Sequence, residues 1–444
     1  MYQFPKGLYT DVRVEERFST LIRYKKSEVQ EIKVRKNKGA FIRVFDGSRW
    51  YYSSSTDLSN LQKAIDDLAT MAKPNDEINE NPIVKAFEVN KDSLIQYDQN
   101  SVEEVLVEDK QKLLEGLIRV VDNDTIVHHQ STYVDSRLLK KIYSSKGTDV
   151  TFDKQSCGVR IAFDLSHKGE KDSSRYSCAK LFFDDLRGLE EDLVKEIDKS
   201  VDFVKRATPV EPGIYTVLLS PESAGVFTHE SFGHKSESDF MVGDESMKEE
   251  WAIGKQIAKP LLTIIDDGNE LGNGFTPYDD EGTKCRKNYI IKDGLLRGRL
   301  HSSQTAAILK ESVTGNARAM NFEYEPIVRM TTTYIAKGDR PLKDIIGEIE
   351  NGIYVDTFKH GSGMSTFTIA PNRAYKIENG KITDPVKVSV VTGNVFEALN
   401  EVDAISEEFE LFSFVGGGCG KMEQFPLPVG FGGPYTRVNK LNVQ

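Results

Sequence analysis

VFTHESFGHKSESDF, residues 226–240, places His229, Glu230 and His234 in the order His-Glu-x-x-x-His. Neutral imidazoles hold a metal ion, and a neighbouring carboxylate that does not bind the ion takes a proton from water, which is what a hydrolytic zinc site needs. The spacing also constrains the backbone. Histidines four apart on an α-helix are turned by about 400° and share a face, whereas five apart they are turned by about 500°, roughly 140° off that face. A regular helix cannot aim both at one ion. The spacing therefore predicts a one-residue insertion of the π type, or a helix that ends before the second ligand. The distortion is expected at 232–235, with Gly233 as the least costly place for a break.

Outward from this stretch the patterns are those of sheets. TVLLSP (216–221) reads as a buried strand leading into the histidine helix, and Pro209, Pro212 and Gly213 mark a boundary before it. Downstream, LLTIID (261–266), KNYIIKDGLLRGRLH (287–301), TTTYIAKG (331–338) and RAYKIENGKITDPVKVSVVTG (373–393) alternate as strands, with one helix expected from Leu342 to Asn351. Upstream, residues 19–53 alternate with turn signals at Asn37 to Gly39 and at Asp46-Gly47. Thr56 or Asp57 caps a helix carrying Leu58, Leu61, Ile65, Leu68 and Ala72, and the polar KPNDEINENP (73–82) follows as a linker or exposed loop.

A second helix is predicted from Glu108 to Val121 and strands at 125–134 and 138–165, turning at Lys146-Gly147, with HKGEKDSSR (167–175) as an exposed loop. Leu186, Leu189, Leu193, Ile197, Val201 and Val204 form the apolar stripe of a long helix. His128 and His129, adjacent on a strand, point to opposite faces and do not share a metal. The fold class is α+β. An N-terminal α+β region with an antiparallel sheet covers 1–207, either as one unit or as subdomains of about 1–80 and 105–207, and a sheet-rich metal-binding domain covers 208–444.

Catalytic zinc usually has three protein ligands, so a third is needed. FVGGGCGKMEQFPLPVG (414–430) places Cys419 among Gly416, Gly417, Gly418 and Gly420, where a backbone free of side chains can bring a thiolate close to a buried ion. Taken together, HESFGH (229–234), DDG (266–268), YDDEGT (278–283), TGNAR (314–318), RMTTTYI (329–335), ENGIY (350–354), CGK (419–421) and PVGFGGP (428–434) resemble the TldD/PmbA family of metallopeptidases, on the TldD side. The resemblance is dense over about 210 to 440 and diffuse before that.

The resemblance implies that His229, His234 and Cys419 bind Zn2+ and that Glu230 is the catalytic base. It also implies cleavage of short or unfolded polypeptides inside a closed dimer, either a homodimer or a heterodimer with a metal-free paralogue. The family often reads Gly-Lys-x-Gly-Gln after the cysteine, whereas this chain has GKMEQ with Glu423 in place of glycine. Two other classes are weighed against the peptidase: a metal-dependent amidohydrolase of non-peptide substrates, and a non-enzymatic partner of the kind older gyrase-modulator labels describe.

Other polar residues have simpler readings. Asp266, Asp267, Asp279, Asp280 and Glu281 are expected to form turns rather than hold a second cation. Glu237 and Asp239 are either surface carboxylates or groups that orient a ligating imidazole. His301 reads as a strand-end histidine, Arg318 as an anion or carbonyl contact, and Cys157, Cys178 and Cys285 as plain thiols. GGGCGK fails as a phosphate loop, since Val415 stands where a glycine is required and Met422 where Ser or Thr is. With 69 acidic against 58 basic residues, a net charge of −11 and no basic block, nothing favours nucleic acid. No apolar run suits a signal peptide or a membrane span, and four scattered cysteines fit a reducing, cytoplasmic setting.

Overall fold

The computed structural model describes residues 2–121, 123–363 and 365–444. Two sheets dominate. The first has seven strands, with Tyr9–Lys25 at its centre, antiparallel to Glu28–Phe45 on one side and to Ile126–Ser144 on the other. Trp50–Ser55 extends it past Glu28–Phe45, while Asp149–His167, Lys91–Leu94 and Glu170–Lys180 complete the opposite side. The strands of residues 1–80 and those of 105–207 therefore belong to one continuous sheet.

The period of two splits the central strand cleanly. Val12, Val14 and Ile22 turn toward the helices Leu61–Met71, Val107–Arg119 and Glu190–Arg206, joining Leu61, Ile65, Leu114, Leu117, Leu193 and Ile197 in two apolar cores. The opposite face carries Arg13, Glu15, Arg17 and Arg23, and half of it meets the C-terminal part of the chain. Arg13 Nη2 donates to the carbonyls of Asn321 and Tyr324 at 2.8 and 2.9 Å, Arg43 Nη1 lies 3.2 Å from Glu281 Oε1, and Lys140 pairs with Asp280.

Three local expectations need correction. Asn37 to Gly39 is not a turn: the strand Glu28–Phe45 runs through it, and the hairpin reverses instead at Lys26, which takes a left-handed φ of 52°. Gly39 marks a close approach, since a Cβ there would lie 2.4 Å from the Phe322 ring. Residues 167–175 are not a loop either. They form a hairpin through Lys168 and Gly169, both at positive φ, into a polar edge strand that is largely exposed apart from the buried Ser174. The helix expected from Leu342 to Asn351 ends early, at Leu342–Gly347, because Asn351 already opens a sheet strand.

The second sheet holds twelve strands, and its long strand Gly430–Val443 pairs with Gly213–Leu219, Val402–Ser413 and Thr332–Ile335. Gly213–Leu219 lies between Gly430–Val443 and the parallel strand Asn351–Gly363, at the sheet's centre. It runs straight into the helix Pro221–Thr228. Ser220 caps this helix by accepting from Ser223 N–H, and Pro221 occupies its first turn, where a missing N–H costs nothing. Ala224, Val226 and Phe227 bury this helix against Val217, Leu219 and Phe431, so the sheet fixes where the chain emerges at His229.

Candidate metal centre

The α-helix ends at Thr228, residues His229–Gly233 form a single π turn, and His234–Ser236 a 3-10 turn. The His234 N–H donates to the His229 carbonyl, five residues back. A π turn takes one residue more than an α turn, so histidines five apart regain the shared face that four apart would have in an α-helix. The distortion expected at 232–235 thus begins at the first histidine. Gly233 keeps right-handed helical angles (φ −54°, ψ −56°) and does not break the helix. Space requires it instead: a Cβ would sit 1.9 Å from Met330 Sδ.

The sulfur arrives on a hairpin, Cys419–Lys421 against Gln424–Leu427. Gly418 lets it do so, since a Cβ there would meet the Leu427 carbonyl oxygen at 2.2 Å. The hairpin tip is formed by Met422, at φ 52°, and Glu423, where the family's glycine would stand, is not among the residues at positive φ. Arg329, fully buried, grips both strands by donating to the carbonyls of Cys419 at 2.8 Å and Gln424 at 3.2 Å. Arg318 donates likewise to the carbonyls of Met330 and Pro428, so its contacts are carbonyls within the protein.

His229, His234 and Cys419 meet: one donor atom from each lies within 4.8 Å of the others, and Cys419 Sγ is 3.5 Å from His234 Nε2. Among the described residues no other three His, Cys, Asp or Glu side chains converge in this way. The imidazole rings stand nearly perpendicular, 5.1 Å apart. His229 Nδ1 is buried with no hydrogen-bond partner in the protein. His234 is oriented from behind: its Nδ1 lies 3.3 Å from Glu237 Oε2, which leaves Nε2 facing the sulfur. Glu237 is fully buried and also bonds Lys421 Nζ at 3.1 Å, and Lys421 reaches Asp239 Oδ1 at 2.6 Å.

Electrostatics follow this geometry. Burial alone would raise the Cys419 thiol, but the charge of His229 and hydrogen bonds from both imidazoles bring it down to about 5. Burial lowers His234, yet its bonds to Cys419 and Glu237 carry it to about 10. Sulfur and imidazole thus each favour the charged form of the other. Glu230 is raised above the usual carboxylate range by burial, opposed by His229 and His234.

The remaining candidates lie elsewhere. His301 is buried against Glu311 and Thr305 and belongs to the wall beneath the helix Ser303–Leu309. Asp266 accepts from Thr331, Thr333 and Asn316, and Asp279 from the N–H groups of Glu281, Thr283 and Ala317. Asp280 and Glu281 tie the two sheets together through Lys140 and Arg43. Lys421 and Arg329 stand in the quoted CGK and RMTTTYI motifs, but the sequence alone assigns no role to either. Their only signal was position, two residues after the cysteine and one before Met330.

The sequence profile of the PmbA/TldA metallopeptidase C-terminal domain matches residues 212–444, and that of the PmbA/TldA metallopeptidase domain 1 matches 10–72. A metalloprotease of Synechocystis is 30% identical over 98% of this chain and 94% of its own length. A zinc metalloprotease TldD homolog of Saccharolobus solfataricus is 28% identical over 92% of this chain and 90% of its own. Among solved structures, TldE from Thermococcus kodakarensis superposes with a TM-score of 0.75 at 19% identity, covering 98% of this chain and 96% of that one. A Thermotoga maritima protein described as a candidate DNA gyrase modulator superposes at 0.80 with 16% identity, over 99% and 96% of the two chains.

Proposed function

Since the chain belongs to the PmbA/TldD family of metallopeptidases, we propose that it is a zinc-dependent peptidase acting on short or unfolded polypeptides, with His229, His234 and Cys419 as the metal ligands and Glu230 as the general base. The observation that carries this reading is the meeting of two imidazole nitrogens and one sulfur within 4.8 Å, beside a carboxylate on the same turn. A nitrogen and sulfur donor set favours zinc over the oxygen-seeking cations. Tetrahedral ligands of one zinc ion sit about 3.3–3.8 Å apart, close to the 3.5 Å between Cys419 Sγ and His234 Nε2. His229 Nδ1, buried with no hydrogen-bond partner in the protein, fits an imidazole placed to serve an ion.

Zinc in this position supplies Lewis acidity toward a carbonyl and a water that ionises near neutral pH. The chain's own residues do the rest. Cys419 and His234, whose donor atoms lie 3.5 Å apart, would hold the ion together with His229, and Glu237 holds His234 in the required orientation. Glu230 takes the proton from water on its carboxylate and passes it to the leaving amine. A carboxyl raised by burial suits both steps, because it is a stronger base than an ordinary carboxylate and its proton affinity lies closer to neutral pH.

We read residues 1–207 and 208–444 as the two structural units of this peptidase, working as a dimer in a reducing compartment. The support is the likeness to TldE and the four free cysteines, three of them buried. Metal analysis of the purified protein tests the site: wild type is expected to carry zinc and Cys419→Ser to lose most of it. Glu230→Gln is expected to keep zinc and lose cleavage of unfolded protein by roughly 10² to 10⁴-fold. Undiminished cleavage by Glu230→Gln removes Glu230 as the base, no cleavage by the zinc-loaded wild type sinks the enzymatic reading, and turnover of small amides alone sinks the peptidase.

A further inference from the structure

The helix-free face of the first sheet is only half covered. Beyond Arg17 it opens into a groove of about 640 Å³. Its floor is built in rows across four strands. Glu31, Arg23, Thr132 and Arg160 are register neighbours, as are Lys33, Leu21 and Val134, and Arg35 lies opposite Ser19. The period of two puts these side chains on one face. Val415 closes one end of the groove, pressed onto Gly158 so closely that a Cβ there would lie 2.9 Å from it.

The groove is cationic in a chain of net charge −11. Glu31 pairs with Arg23 at 3.2 Å and with Lys33, but Arg35 and Arg160 have no carboxylate within pairing distance among the described residues. Asp135, the other carboxylate at the groove, is taken up by Lys110 Nζ at 2.6 Å. Arg160 also stands close to the Arg175 guanidinium, so an incoming anion relieves a repulsion already present. Such a surface is complementary to carboxylates.

We infer that this groove is a substrate subsite for carboxylate-bearing polypeptide, with Arg35 and Arg160 as its contacts. The inference rests on the peptidase reading and adds the substrate class. Val415 precedes Cys419 by four residues, at most about 14 Å of extended chain. A peptide lying across the sulfur-bearing hairpin therefore presents to the groove an acidic side chain, or its terminal carboxylate, about four residues from the bond at the metal site. Nucleic acid is the poorer match, because the groove has few exposed aromatic platforms for bases and the molecule as a whole repels a polyanion.

Fluorescence anisotropy with the full-length Glu230→Gln protein separates this from the cleavage reading, since binding is read without turnover. Matched labelled peptides carrying Asp, Asn or Lys in a cluster, each with a free or an amidated C-terminus, are titrated. The Asp peptide is expected to bind about tenfold more tightly than the Lys peptide. Adding Arg35→Glu and Arg160→Glu, both at exposed positions, reverses the order while zinc content and circular dichroism stay unchanged. A preference that follows amidation instead of the side chains assigns the groove to the terminal carboxylate. Equal binding of all peptides, a preference untouched by the charge reversal, or tighter binding of a single-stranded oligonucleotide overturns the inference. Absence of cleavage by wild type with the charge preference intact sinks the peptidase reading alone.

Discussion

Lys421 Nζ lies 3.1 Å from Glu237 Oε2, so the ammonium two residues after Cys419 is bonded to the carboxylate three residues after His234. One buried cation therefore locks the sulfur-bearing hairpin to the histidine turn, and its second bond, to Asp239, adds a further tie. Lys421→Met is expected to weaken zinc retention by 10 to 100-fold, measured by competition with a chromogenic chelator. Retention equal to wild type removes Lys421 from the support of the site.

Gly233 offers a test of packing independent of chemistry. Gly233→Ala forces a methyl into Met330 Sδ, and Met330 is fully buried and has nowhere to go. The expected cost is about 1–3 kcal/mol, read by denaturant unfolding, together with loss of cleavage as the π turn shifts. Adding Met330→Ala restores most of the stability, because the methyl then enters the vacated space.

The sheet-to-sheet contact depends on charge. Asp280 faces Lys140 and Arg13, all buried, and also accepts from the Ala319 N–H. Asp280→Ala leaves those two cations to share Glu15 alone, 3.0 Å from Arg13 and 3.3 Å from Lys140, and is expected to cost up to about 3–5 kcal/mol in chemical unfolding. The double variant Lys140→Met/Asp280→Leu should lose less than the single one. A larger loss from the double variant would assign the contact to net electrostatic attraction instead of to the cost of an unpaired charge.

Acid sensitivity is predicted at Asp46. Burial opposes its ionisation, but hydrogen bonds from the N–H groups of Arg49 and Ser48 and from the Ser48 hydroxyl outweigh it and hold the carboxyl well below its usual range. A folded-state value below the unfolded one, about 3.9, gives stability that is fully present above pH 4 and lost as the pH falls toward the folded value. The difference in Tm between wild type and Asp46→Asn should be constant from pH 5 to 8 and shrink below about pH 4. A difference that grows on acidification contradicts the assignment.

Much of this was legible from residue patterns, and the failures share a cause. The α+β class, the stripe from Leu186 to Val204 and the need for a distortion between His229 and His234 all follow from periodicity, which is local. Asn37 to Gly39 misled because glycine serves turns and close approaches alike, and only the distant Phe322 distinguishes them. Gly233 misled for the same reason through Met330. DDEGT was read correctly as a setting for turns, but its bonds to Lys140 and Arg43 cross more than a hundred residues and left no local trace. The spacing of Glu237 to His234 allows a surface carboxylate and an orienting group alike, and only its burial beside the imidazole distinguishes them, whereas the bond of Lys421 to Asp239 crosses 182 residues and has no spacing to read.

The three donors of the candidate centre are far apart in order of synthesis, because Cys419 follows His234 by 185 residues and Gly430–Val443, the strand that underlies the histidine helix, comes later still. A nascent chain emerging from the ribosome consequently exposes both imidazoles long before it can complete the ligand set. On the proposed reading, the molecule is harmless to its own unfolded neighbours until its final strand has docked, so maturation itself acts as the safety catch.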